Sequence, residues 1–143
     1  MTIMKIDHIG IAVKNLEEAI QTYEKLLNWS CNKREIVEGE QVETAFFETG
    51  QTKVELLGAI SANSAIEKFI SKKGEGIHHV AFEVEDLESE MERLTNEGFT
   101  LLNSKPKIGA GNKRIVFLHP KDNHGVLVEL CEPLDGMKSE KNP

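Results

Sequence analysis

The chain has 143 residues, 39% of them hydrophobic and 29% charged, with a formal net charge of −7. That length suits a single soluble domain, and the acidic balance argues against general affinity for nucleic acid or acidic membranes, whose phosphates it would repel. No run approaches the roughly 18 apolar residues of a membrane span, and "MTIMKIDHIGIAV" lacks a signal-peptide h-region and cleavage site, so a cytoplasmic location is expected.

Along the chain, period-two alternation from Ile6 to Val13 predicts a strand with Ile9, Ile11 and Val13 on one face and His8, Gly10 and Ala12 on the other. Asn15 and Glu18 then have capping-box spacing. Leu16, Ala19, Ile20, Tyr23, Leu26 and Leu27 trace the apolar stripe of a helix that ends at Asn28. Strands are expected at Trp29 to Ile36, Val42 to Glu48 and Lys53 to Leu57. A short linker helix over Ser64 to Lys73 turns Ile66, Phe69 and Ile70 inward and stops at the glycines 74 and 76.

The pattern then repeats. "HHVAFEVEDLESEM", from His78, echoes "DHIGIAVKNLEEAI", from Asp7, and "VELC" at Val128 to Cys131 echoes "VELL" at Val54 to Leu57. The second copy predicts a strand over His78 to Val84 and a helix capped by Asp86, carrying Leu87, Met91 and Leu94 and stopped by Gly98. Strands are expected near Phe99 to Leu102, Lys113 to His119 and Val126 to Cys131.

Each copy reads βαβββ. The expectation is an α+β fold in which two tandem βαβββ modules form a curved mixed sheet around a central metal-binding cavity. Residues 1–134 would be one domain, with module one at about 5–60, the linker helix at about 61–76 and module two at about 77–134, before a polar, frayed tail at 135–143. Cys31 and Cys131 make neither a C-x-x-C pair nor a disulfide framework and read as buried free thiols.

If the copies face each other, equivalent residues converge, and His8 and His79 meet Glu55 and Glu129. Two imidazoles and two carboxylates suit a divalent first-row ion such as Zn, Co, Ni or Mn. Glu55 and Glu129 sit in apolar runs, where an unpaired carboxylate costs several kcal/mol. Gly10, Ala12 and Ala81 leave room beside an ion. His78 points to the opposite face from His79, and His119 and His124 fall outside the pattern. Lys105, Lys107, Lys113, Arg114 and Lys121 form a basic run without an acid, either a landing site for an anionic ligand or a solvated loop.

The paired "DHIGIAV" and "HHVAFEV" units resemble the vicinal oxygen chelate superfamily, which includes glyoxalase I. The stretches "FLHPK" and "GVLVEL" are similar to its methylmalonyl-CoA epimerase family. That resemblance implies a metal tetrad at His8, Glu55, His79 and Glu129. It also implies interconversion of (2R)- and (2S)-methylmalonyl-CoA by proton transfer, with Glu129 as a base. The second base would be Glu43, on the strand aligned with "QVETAFF", or Glu55. Lys105, Lys113, Arg114 and Lys121 would then receive the coenzyme A phosphates. An acyl-CoA partner and a homodimer follow from the same resemblance. The rival readings are a glyoxalase I type lyase and a metal-free, drug-sequestering binding protein.

Overall fold

A computed structural model describes residues 3–134. Eight strands and three α-helices follow in the order β1 (Ile3–Ala12), α1 (Leu16–Leu27), β2 (Lys33–Val37), β3 (Val42–Glu48), β4 (Lys53–Ala59), α2 (Ala65–Lys73), β5 (Gly76–Val84), α3 (Leu87–Asn96), β6 (Lys107–Gly109), β7 (Lys113–Leu118) and β8 (Val128–Pro133). The α+β class and the doubled βαβββ order are as the sequence implies. Residues 8–78 make one compact unit, and residues 79–134 make a second together with residues 3–7. The predicted tail at 135–143 lies outside the described residues.

In the unit of residues 8–78 the strands run β2-β3-β4-β1, with β4 parallel to β1 and the other pairs antiparallel. Asn15 caps α1 by accepting the Glu18 N–H at 3.0 Å, and Asn28 closes it in the left-handed region at φ 51°. The helix lays Ile20, Leu16, Ala19, Tyr23 and Leu27 over Val13, Ala45, Phe47 and Leu56. Phe47 and Leu56 are wholly enclosed, and such burial is worth about 1.5–3 kcal/mol for each side chain. Leu26 does not join the stripe and is 69% exposed, because it sits about 80° round the helix from Leu16. A Cβ on Gly58 would lie 3.1 Å from the Leu16 Cβ, so the glycine is what lets helix and sheet approach.

The strand expected from Trp29 starts only at Lys33. The Trp29 and Cys31 amides are spent on Glu24 at the helix end, the first on its carbonyl and the second on its carboxylate, and pairing begins when the Asn32 N–H reaches Phe46 O at 2.8 Å. Ser64 caps α2, with Ile66 buried and Phe69 and Ile70 half-buried.

The second unit repeats the plan as β5-β8-β7-β6, with β5 parallel to β8. Asp86 caps α3 through the Ser89 N–H at 3.1 Å, and Leu87, Met91 and Leu94 pack on Val84, Val116, Leu118 and Leu130. Gly98, at φ +97°, takes the turn that a side chain would strain. The strand expected at Phe99 to Leu102 is reduced to one bridge, Leu101 to Leu118. Asn103 ends it by standing in for the ladder: its Oδ1 accepts the Phe117 N–H at 2.9 Å and its Nδ2 donates to Ile115 O at 3.2 Å. Backbone pairing resumes as β6, from Lys107.

Candidate active site

Register decides which side chains share a face, because residues directly opposite on neighbouring strands point the same way. In the first unit Gly10 is opposite Glu55, Glu55 opposite Phe46 and Thr44 opposite Leu57. His8, Gly10, Ala12, Thr44, Phe46, Glu55 and Leu57 therefore share one face, and Ala45, Phe47 and Leu56 share the other, under α1. In the second unit Ala81 is opposite Glu129, Glu129 opposite Phe117 and Ile115 opposite Cys131. His79, Ala81, Glu129, Ile115 and Phe117 thus form the face turned away from α3. In each unit the glutamate lies between a small residue, Gly10 or Ala81, and a phenylalanine, Phe46 or Phe117.

Each unit holds a buried histidine–carboxylate pair. His8 Nδ1 lies 3.1 Å from Glu55 Oε2, and His79 Nε2 lies 3.3 Å from Glu129 Oε1. All four residues are at most 5% exposed. The Phe117 ring meets the His79 ring edge-on, with centroids 5.9 Å apart, and limits how the imidazole turns.

Both pair distances test the fit of a metal. Nitrogen and oxygen ligands at about 2.1 Å from one ion are separated by about 3.0 Å in octahedral and about 3.4 Å in tetrahedral arrangement. The observed 3.1 and 3.3 Å fall in that interval, and neutral nitrogen beside anionic oxygen is the donor set a first-row divalent ion takes. The same spacing also serves an N–H···O bond, so each pair is internally satisfied.

Glu43 requires a correction. It is opposite Gly58, on the face that α1 covers, and its Oε2 accepts from Arg34 Nε at 2.9 Å while Arg34 Nη1 reaches Glu17 of α1 at 2.5 Å. The hydrogen bonds to Glu43 and then Glu17 hold the Arg34 guanidinium above its ordinary pKa. Glu43 thus stands away from His8 and Glu55. Thr44, its neighbour in sequence, is the residue on their face, and sequence alternation alone could not tell which of the two parities the helix would cover.

The basic run is also divided. Arg114 lies on the α3 face, where Nη1 meets Glu88 Oε1 at 3.0 Å and Glu132 Oε2 at 3.2 Å; the Arg114 bond holds the Glu88 carboxyl below its usual range. Lys113 forms a buried ion pair with Asp7. Neither is the unopposed cation that the acid-free run suggested, since their partners come from distant sequence. Lys105 and Lys121 are exposed, and the Lys107 ammonium rests 5.6 Å from the Phe117 ring centroid. Cys131 is buried and desolvation pushes its thiol pKa far up, whereas Cys31 is only half-buried. His78 packs edge-on against Phe69 at 5.0 Å, and His119 caps the turn at Pro120–Asp122 by accepting the Lys121 N–H at 3.0 Å.

A family model described as the glyoxalase/bleomycin resistance protein/dioxygenase superfamily matches residues 7–117. The chain belongs to that superfamily. It is 39% identical over 136 residues to the uncharacterized protein YqjC of Bacillus subtilis, covering 95% of this chain and 97% of that one. It is also 39% identical over 128 residues to the ethylmalonyl-CoA/methylmalonyl-CoA epimerase of Cereibacter sphaeroides, covering 88% and 96%. The crystal structure of methylmalonyl-CoA epimerase from Mycobacterium tuberculosis superposes with a TM-score of 0.85 at 36% identity, covering 90% of this chain and 87% of that one. The resemblance drawn from "FLHPK" and "GVLVEL" is thereby borne out, and the chain is an epimerase-like enzyme. No helix among the described residues is long and apolar enough to cross a membrane.

Proposed function

We propose that this enzyme is a metal-dependent epimerase that interconverts (2R)- and (2S)-methylmalonyl-CoA. The observation that carries the reading is the matched pair of buried His–Glu units, His8 with Glu55 and His79 with Glu129, in a chain whose relatives include epimerases of that thioester. His8, Glu55, His79 and Glu129 are the residues that would hold one divalent ion, Co, Zn, Ni or Mn. When bound, such an ion supplies Lewis-acid stabilisation of negative charge on the acyl oxygens.

The remaining chemistry belongs to side chains. Exchange of the C2 proton between the faces of the carbon needs a base on each side. Glu129 serves one side. With Glu43 turned to the helix, Glu55 is the buried carboxylate on the His8 face of the first unit, and it serves the other. Burial of both carboxylates at 3–5% exposure keeps water from competing for the transferred proton. Gly10 and Ala81, beside the two glutamates, leave space for the methyl-bearing carbon. Lys105 and Lys121 meet the phosphates of the coenzyme on an otherwise acidic protein. The protein works in the cytoplasm, as a homodimer.

Incubation with methylmalonyl-CoA in heavy water tests this directly. Deuterium should enter C2 at the rate of epimerisation, and metal-free protein should regain the activity on addition of cobalt or zinc. Absence of exchange by metal-loaded protein, together with turnover of a glutathione hemithioacetal, would assign the chain to the glyoxalase I chemistry instead.

A further inference from the structure

Thr44 is 1% exposed and lies on the His8 face, diagonal to Glu55 across β3 and β4, a relation that leaves about 7–8 Å between Cα atoms. Its hydroxyl makes no hydrogen bond among the described residues.

The internal repeat sharpens the point. Phe46 and Phe117 occupy equivalent places, each opposite its glutamate, and by the same register Thr44 corresponds to Ile115. Ile115 is 4% exposed and fills its place with hydrocarbon. A hydroxyl at the matched position of the first unit, beside Glu55 and near Gly10, gains nothing from packing and loses hydration by burial.

We propose that the Thr44 hydroxyl is a specificity-determining residue that donates a hydrogen bond to an acyl oxygen of the bound thioester. This rests on the function proposed above. A hydroxyl can donate and accept at once, so it can follow whichever oxygen the substrate presents, a carboxylate or a thioester carbonyl.

Thr44→Val replaces the hydroxyl by a methyl at nearly constant shape. The expected result is a fall in kcat/KM of about 10-fold or more for methylmalonyl-CoA, with Tm unchanged or raised, while Thr44→Ser stays within about 3-fold of wild type. A structural role predicts the reverse, a lower Tm with activity kept. Titration calorimetry with malonyl-CoA and acetyl-CoA separates the sources: weakened binding of malonyl-CoA alone assigns the carboxylate, and weakened binding of both assigns the thioester oxygen. Wild-type protein that fails to exchange the C2 proton would defeat the proposed function without deciding on Thr44. The malonyl-CoA dissociation constants then decide: a Thr44→Val increase of about 10-fold sustains the assignment, and equal values, or no binding by wild type, overturn it.

Discussion

The ion pair between Asp7 and Lys113 offers a test that separates a structural cation from a ligand-binding one. Asp7 is 1% exposed at its side chain and Lys113 11%, so removing either leaves a charge largely out of water. Such removals cost about 3–5 kcal/mol, whereas replacing both partners by apolar groups is close to neutral. Lys113→Met leaves the more deeply buried charge and belongs at the upper end; Asp7→Leu leaves the better hydrated ammonium and belongs at the lower. At about 3–4 °C for each kcal/mol in a chain of this size, the single variants should melt about 10–20 °C below wild type. Asp7→Leu with Lys113→Met should recover most of the loss. Urea unfolding of the four proteins gives the coupling energy, and KM for methylmalonyl-CoA at low and moderate salt gives the functional readout. Lys113→Met should leave KM within 2-fold of wild type, since an ammonium bound to Asp7 is not offered to phosphate. The reasoning is refuted if Lys113→Met unfolds within about 1 kcal/mol of wild type while raising KM several-fold in a salt-dependent way.

Other variants follow from the same faces. Glu129→Gln should lower kcat by about 100-fold or more as a lost proton acceptor, whereas Glu43→Gln should leave kcat within 2-fold and cost about 0.2–1 kcal/mol through its half-exposed Arg34 pair, both read by steady-state kinetics and thermal melts. Dialysis against a chelator should abolish exchange and lower Tm, with about 2.7 kcal/mol restored when free metal reaches 100 times its dissociation constant. A thiol reagent should label Cys31 readily and Cys131 only on unfolding, as its burial favours the neutral thiol. Because that folded-state pKa is raised, the stability linked to Cys131 is intact below the ordinary thiol value of 9.0 and is lost as pH climbs above it; urea midpoints between pH 7 and 10 should show the fall, and Cys131→Ala should lessen it. Leu130→Ala should cost about 2.7–5 kcal/mol by urea unfolding, because Leu130 is 2% exposed within the α3 cluster.

What the sequence disclosed well was local. Asn15, Ser64 and Asp86 each cap the helix that follows, because a short acceptor before an apolar stripe satisfies amides that nothing else can reach. The histidine strands and both terminal glutamates were legible because period two fixes face membership within a strand. Where a distant group intervened, the pattern misled. Asn103 replaced strand pairing by side-chain bonds that depend on β7 being alongside, and Arg114 and Lys113 found acids on α3 and β1, far off in sequence.

Glu43 and Thr44 show where alternation runs out. Period two says that neighbours point oppositely; it does not say which parity a helix will cover. That choice is made by contacts such as Leu16 against Gly58, two residues that acquire meaning only when strand β4 lies beneath α1. The family resemblance favoured Glu43 as the second base, a carboxylate being the conspicuous candidate for proton transfer. Register reverses the preference, since Glu43 shares its face with the apolar residues under the helix and Thr44 shares its face with Glu55. The duplicated module then supplies a control within the molecule: the two copies agree at histidine, glutamate and phenylalanine, the residues of the proposed ion-binding pairs, and differ at Thr44 against Ile115, where the proposal places recognition of an acyl oxygen.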